Sequence, residues 1–366
     1  MPRRSTVSPA SPSPSIAGAN LETIARELGV AVSTVSRALR NHPGIHPNTR
    51  LKIQTEAARL GYAVKRRSEE TQIGDAGDIR HLLTLAQSVS HASQQGYLAG
   101  ISRAAQAHNI GVFSHHCAAQ DAAKLFETGY QPAALRVPDL AGVIFIHRWP
   151  DEVVARIAAT RPVVSIIHRY PGLPVDSVGT DDESGLRLLV AHLRAGGHER
   201  IGFFGREPSF SWARSRFAAY VEALNEAGLP YEPADVMSVS TEAARGYTPP
   251  DLKPFLSAVR ARIRSGVRAW VASSYVLAQA LTTALREAGY SVPGDVAVTG
   301  YHGGLRVNQQ GLLHPTSVET DDEALGAAAV HLLNYRMLRA IPAPSHLLLP
   351  GNLVQGETTV PGVAKG

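Results

Sequence analysis

The sequence predicts a small all-α head joined to a larger α/β core built from two units, and three observations predict it. Residues 20–64 carry three short segments with helical apolar spacing. From about residue 80 onward, short apolar runs alternate with amphipathic stretches. The charge divides in the same place. Residues 1–67 hold eleven Lys/Arg against three Glu, a net +8, so the chain's overall +5 leaves −3 for the rest. A basic head on a mildly acidic body is the footprint of a nucleic-acid module attached to something else.

The head begins with NLETIARELG, where Asn20 suits the N-cap and Ile24, Ala25 and Leu28 form the apolar stripe. Gly29 can take the left-handed conformation that ends a helix and turns the chain. The next segment, LGVAVSTVSRALRN, places Ser33, Ser36, Arg37 and Arg40 on one side and Val35, Ala38 and Leu39 on the other. Alone, such a helix reads more readily as a solvated surface helix, and its neighbours decide the matter. A third helix starts at Pro47 and carries Ile53, Ala57 and Leu60 before Gly61 closes it. Two short helices across a tight glycine turn, the second with a hydroxyl-and-guanidinium face, make a helix-turn-helix.

In the core, HLLTLA, GVFSH, AGVIFIH, PVVSIIH, RIGFFG, RAWVASS and DVAVTG read as buried strands. ESGLRLLVAHLRAGG and RSRFAAYVEALNEAGL read as helices between them. This alternation implies parallel sheets covered by helices, with a ligand crevice off the carboxyl ends of the strands. The predicted division is a disordered arm at 1–19, the headpiece at 20–64, a linker at 65–79 and the core at 80–366. With 44% hydrophobic and 18% charged residues, the 366-residue chain reads as a soluble globular protein. The single Cys117 suits a reducing cytoplasm, and neither a signal peptide nor a transmembrane run is expected. There is no GxxxxGK(S/T) loop, no GxSxG elbow and no zinc-spaced Cys/His set, so no cofactor and no enzyme activity is expected.

The stretch IARELGVAVSTVSRALRNHPGIHPNTRLKIQTEAARLGY resembles the headpiece of the lactose-repressor (LacI/GalR) family of bacterial transcriptional regulators. The resemblance rests on Thr34-Val35-Ser36-Arg37, on Thr49-Arg50 and on the closing Leu60-Gly61-Tyr62. It continues through VDSVGTDDESGLRLLVAHLRAGGHERIGFFG, ALREAGYSVPGDVAVTGY and HPTSVETDDEALGAAAVHLL. It implies a periplasmic-binding-protein-like core of two Rossmann-like lobes, a homodimer, operator DNA as partner and a small-molecule effector in the cleft. A DNA-binding regulator, and among these a repressor, is the function it implies. A pure ligand-binding protein is the alternative that the core alone would allow.

The resemblance also assigns residues. Val32, Ser33 and Arg37 would face base edges, and an arginine can pair with guanine through two hydrogen bonds. Asn20, Thr34, Ser36 and Arg50 would contact phosphates and set the register. Ala31 stands where the family often has a capping serine. Thr71 stands where a hinge leucine is expected, which predicts less kinking of the DNA.

In the cleft, Arg216 matches the family's ligand-binding arginine. His168 and His302 replace aspartates common in the family, and Ser273-Ser274 replaces an Asn-Asp pair. His147, Arg148 and Trp149 also follow a strand, where the indole could stack on a ligand. Losing carboxylates and gaining imidazoles makes an anionic sugar derivative the expected effector. A neutral sugar, held by neutral imidazoles and serines, is the rival. A third reading has the histidines packing against one another.

Overall fold

The computed structural model describes residues 21–39, 45–60, 80–88, 92–240, 251–302, 312–338 and 344–360. The arm at 1–19, Asn20, Arg40 and the linker at 65–79, including Thr71, lie outside the described residues. The chain divides into two compact units, residues 1–77 and 78–366.

In the first unit α1 (Leu21–Leu28), α2 (Val32–Leu39) and α3 (Pro47–Arg59) pack around Ile24, Ala25, Val35, Ala38, Ile53 and Ala57. These are the apolar positions that the helical spacing places on the inner faces. Gly29, at φ +62°, ends α1, and Val30 N–H donates to the Ala25 carbonyl at 3.0 Å. That six-to-one bond closes the helix in the Schellman manner. Ala31 has no side-chain oxygen to cap α2, and only its carbonyl serves, accepting from Thr34 and Val35. Ahead of α3, the His46 ring Nδ1 accepts from the Asn48 N–H at 3.3 Å.

The second unit holds two six-stranded sheets. The first lobe contains β1 (Arg80–Gln87), β2 (Ile110–Cys117), β3 (Leu140–Ile146), β4 (Val163–Ile166), β5 (Asp176–Thr180) and β11 (His346–Leu349). Their order is β11-β5-β4-β3-β1-β2, all parallel. The second lobe contains β6 (Ile201–Arg206), β7 (Val236–Ser238), β8 (Ala269–Ala272), β9 (Ala297–Tyr301), β10 (Thr316–Glu319) and β12 (Asn352–Val354). Their order is β12-β10-β9-β8-β6-β7, with β12 alone antiparallel to its neighbour.

Helices cover both faces of each sheet, as parallel strands require. In the first lobe α4 (Ala92–Ala107) and α10 (Asp322–Leu338) cover one face, and α5 (Asp151–Ala158) with the turns at 119–126 and 133–136 covers the other. In the second lobe α6 (Asp182–Ala195) and α7 (Ser211–Glu226) lie opposite α8 (Lys253–Arg264) and α9 (Tyr275–Glu287). Among the described residues the chain passes between the lobes after β5, after β10 and after β11. Among the described residues, no helix is long and apolar enough to cross a membrane.

The α4–α10 contact is unusually close. A Cβ at Gly100 would sit 1.9 Å from the Glu323 carbonyl, and one at Gly326 would sit 2.1 Å from the Tyr97 carbonyl. Only glycine permits that approach, and it holds Tyr97 and Asp322 in a fixed relation.

Candidate functional site

Among the described residues, polar side chains come together on the outer face of α2 and at the strand ends of the core. On α2, Val32 is 42% exposed, and Ser33 and Arg37 are exposed beside it, one turn apart. Thr34 and Ser36 are half-buried at the edge of that face. The face therefore offers an apolar group, hydroxyls and a guanidinium, the set needed to read base edges and grip backbone. Arg50 behaves differently. It is half-buried, and its Nη2 donates to the Ile45 carbonyl at 3.0 Å, bracing the chain that leads into α3.

In the core, the residue immediately after each of three strands lies in the left-handed region: His147 (φ 72°), Ile167 (φ 69°) and His302 (φ 41°). Such conformations cost about 1–3 kcal/mol for a non-glycine residue and gather at functional sites. They turn the chain sharply where β3, β4 and β9 end.

In the first lobe, His147 is buried, and its Nδ1 accepts from the Gln87 N–H at 3.2 Å. The Gln87 side-chain amide donates to the Arg148 carbonyl at 2.5 Å. Arg148 pairs with Asp151 at 2.5 Å and lies 4.4 Å over the Tyr170 ring. Trp149 corrects an expectation. It is 1% exposed, packed against Phe145, and its indole N–H donates to the Ile146 carbonyl at 2.9 Å. With its body in the core and its one donor used, it presents no face to a ligand. The left-handed turn at His147 redirects the chain, so that alternation along the strand no longer predicts where Trp149 points.

His168 is half-buried, and its ring lies 6.0 Å from that of Phe210 in the second lobe. Nearby the Arg169 N–H donates to Ser211 Oγ at 3.1 Å, so the two lobes touch here.

In the second lobe, Arg216 on α7 is 2% exposed. Its Nε donates to Asp182 Oδ1 at 3.1 Å and its Nη1 to the Ser273 carbonyl at 2.7 Å. Its guanidinium lies 4.2 Å from the Tyr301 ring and 4.9 Å from that of Trp212. Asp182 also accepts from Thr180 Oγ1 at 2.7 Å. Ser273 is buried, and its Oγ has no hydrogen-bond partner among the described residues. A Cβ at Gly205 (φ +104°) would fall 2.3 Å from that oxygen, so a glycine is needed beside it. Glu207, buried just beyond β6, accepts from the Ser209 N–H at 2.7 Å.

His302 Nε2 lies 3.0 Å from Tyr97 Oη and 3.4 Å from Asp322 Oδ1. Burial pushes the Asp322 carboxyl up to about 7, and Glu319 and Asp321 push the same way. The fold thus brings Arg216 and Ser273 into contact, whereas His147, His168 and His302 stand at separate strand ends with their own partners.

Sequence reasoning missed Tyr97, Asp182, Glu207 and Asp322. Glu207 was findable, since it follows the strand RIGFFGR, whose carboxyl end faces the crevice. The aspartates stand in the quoted TDDES and TDDEA runs, yet nothing local says which of each pair turns inward.

Residues 20–64 match the LacI family of bacterial regulatory proteins, and residues 190–359 match the periplasmic binding protein-like domain. The HTH-type transcriptional repressor MelR of Bacillus subtilis (strain 168) is 27% identical over 354 residues, covering 91% of this chain and 95% of that one. The HTH-type transcriptional regulator AglR of Rhizobium meliloti (strain 1021) is 25% identical over 291 residues, 77% of each. Among solved structures, the lac repressor dimer bound to operator and the anti-inducer ONPF aligns with a TM-score of 0.59 at 21% identity. That alignment covers 94% of this chain and 100% of the other, and it is a likeness of fold.

Proposed function

The chain belongs to the LacI family of bacterial regulatory proteins, DNA-binding transcriptional regulators, and from that premise we propose that it is a cytoplasmic homodimeric repressor whose operator affinity is set by a small molecule bound between the lobes of its core. We assign residues 1–19 to an arm, 20–64 to the headpiece, 65–79 to the linker and 80–366 to the core.

The exposed Val32–Ser33–Arg37 face carries the DNA reading. A dimer presenting two such faces reads a pseudo-palindrome, one half-site per headpiece. Asn20, Thr34 and Ser36 are assigned to the phosphates. Arg50 is assigned to the phosphates as well, and it also braces the headpiece through its Nη2 bond to the Ile45 carbonyl. Selection of binding sequences from random duplexes tests this. Enrichment of an inverted repeat supports the proposal, and enrichment of none removes it.

The effector we infer is a neutral polyhydroxylated compound, of the sugar class. The observation behind it is the Arg216–Asp182 pair: the cation that favoured an anionic ligand already has its counter-charge inside the protein. The Ser273 hydroxyl and the Glu207 carboxylate suit hydroxyl groups rather than a second anion. We assign His147, His168, Arg216, Ser273 and His302 to the site, and Trp149 to the core beneath it. A thermal-shift screen of neutral sugars, sugar acids and sugar phosphates tests the class. Stabilisation by acids or phosphates alone overturns it and restores the anionic reading.

A further inference from the structure

We propose that His302, Tyr97 and Asp322 form a proton-holding latch between the two lobes of the core, so that the arrangement of the lobes responds to pH near neutrality. His302 follows β9 in the second lobe, whereas Tyr97 on α4 and Asp322 at the start of α10 belong to the first. The contacts are 3.0 Å to Tyr97 and 3.4 Å to Asp322, and both the imidazole and the carboxyl are nearly enclosed. Asp322 follows the second chain crossing, at the junction about which the lobes would turn. The glycine-mediated contact of α4 with α10 fixes Tyr97 against Asp322. Relative motion of the lobes therefore falls on the His302 side of the cluster.

The charges around it explain what the proton does. Glu319 at the end of β10 and Asp321 in the crossing act on Asp322 by their charge, Ser93 and Tyr97 face it from α4, and Arg216 acts on Tyr97 from α7. The Arg103–Glu323 pair spans the outer side of the same two helices in solvent. With one proton, the carboxyl and imidazole make an attractive pair, whichever partner carries it. Once that proton leaves, a buried carboxylate remains beside two others and a neutral ring. Burial has already raised Asp322 toward neutrality, where this loss takes place.

The latch rests on the effector-site reading only for its consequence, a pH-dependent response, and it is measured without effector or DNA. Spin labels on exposed Glu152→Cys in the first lobe and Glu232→Cys in the second report the interlobe distance in the full chain. The native Cys117 is buried and stays unlabelled. Between about pH 6 and about pH 8.5, on either side of the Asp322 carboxyl raised to about 7, the distance distribution is expected to shift. Asp322→Asn keeps a hydrogen-bonding side chain but has no proton to lose, and the shift is expected to vanish. Tyr97→Phe keeps the ring, drops the hydroxyl and moves the midpoint. No shift in the parent protein, an equal shift in Asp322→Asn, or an unmoved midpoint in Tyr97→Phe overturns the latch. A failed sugar screen beside an intact shift counts against the effector reading alone.

Discussion

Arg216 Nε lies 3.1 Å from Asp182 Oδ1, and neither side chain reaches solvent to more than a few per cent. A charge pair in that position is costly to break and cheap to replace whole, because the penalty lies in leaving one ion unpaired.

Arg216→Ala is therefore expected to lower stability by about 3–5 kcal/mol. Arg216→Met combined with Asp182→Leu should lower it far less. Urea unfolding of the parent and the two variants measures both. A double variant that loses as much stability as Arg216→Ala would mean that the two residues do not act as a pair.

Ser273→Ala removes a buried hydroxyl that has no hydrogen-bond partner among the described residues. Its melting temperature should stay level or rise slightly, since an unsatisfied buried group costs about 1–3 kcal/mol. The stabilisation conferred by a cleft-bound sugar should shrink at the same time. A lower melting temperature without sugar would show that the hydroxyl supports the fold instead.

Arg37 and Arg50 should separate two roles. Arg37→Ala is expected to cost about 1–3 kcal/mol in operator binding and to relax preference at one base pair per half-site. Arg50→Ala should lower headpiece stability and leave base preference unchanged, because its guanidinium holds the Ile45 carbonyl. Equal weakening across all sequences in Arg37→Ala would make it a phosphate contact.

Asp322 gives stability a pH dependence of known sign. Its carboxyl rises from an ordinary value of 3.8 to about 7 on folding. A raised acid binds its proton more tightly when folded, so its contribution is greatest below the unfolded value and is lost as pH rises to about 7. Relative to Asp322→Asn, the parent should weaken between about pH 4 and about pH 7 and then level off. Denaturant midpoints across that range measure the difference, and a flat difference removes the claim.

The three helices of the head and the long buried strands were legible because their periodicity is local. Ile24, Val35 and Ile53 announce their inner faces by spacing alone, and runs such as GVIFI leave no outer face for water. The short strands β7, β11 and β12, each of three or four residues, carry no such signal. They pair because the rest of their sheet is already in place, and β11 leaves Leu347 and Leu348 exposed.

By itself the sequence determined the order of elements, the basic head, the hydroxyl-and-arginine face of α2 and the set of side chains at the strand ends. Only the tertiary structure decided what those side chains do. Trp149 follows a strand like His147 yet lies in the core. Arg216 reads as a free cation in RSRFAAY, but Asp182, thirty-four positions away, cancels its charge. His302 meets Tyr97 across 205 positions. Periodicity and charge are properties of neighbours in sequence. Hydrogen bonds, burial and compensation of charge belong to neighbours in space, and folding alone selects those.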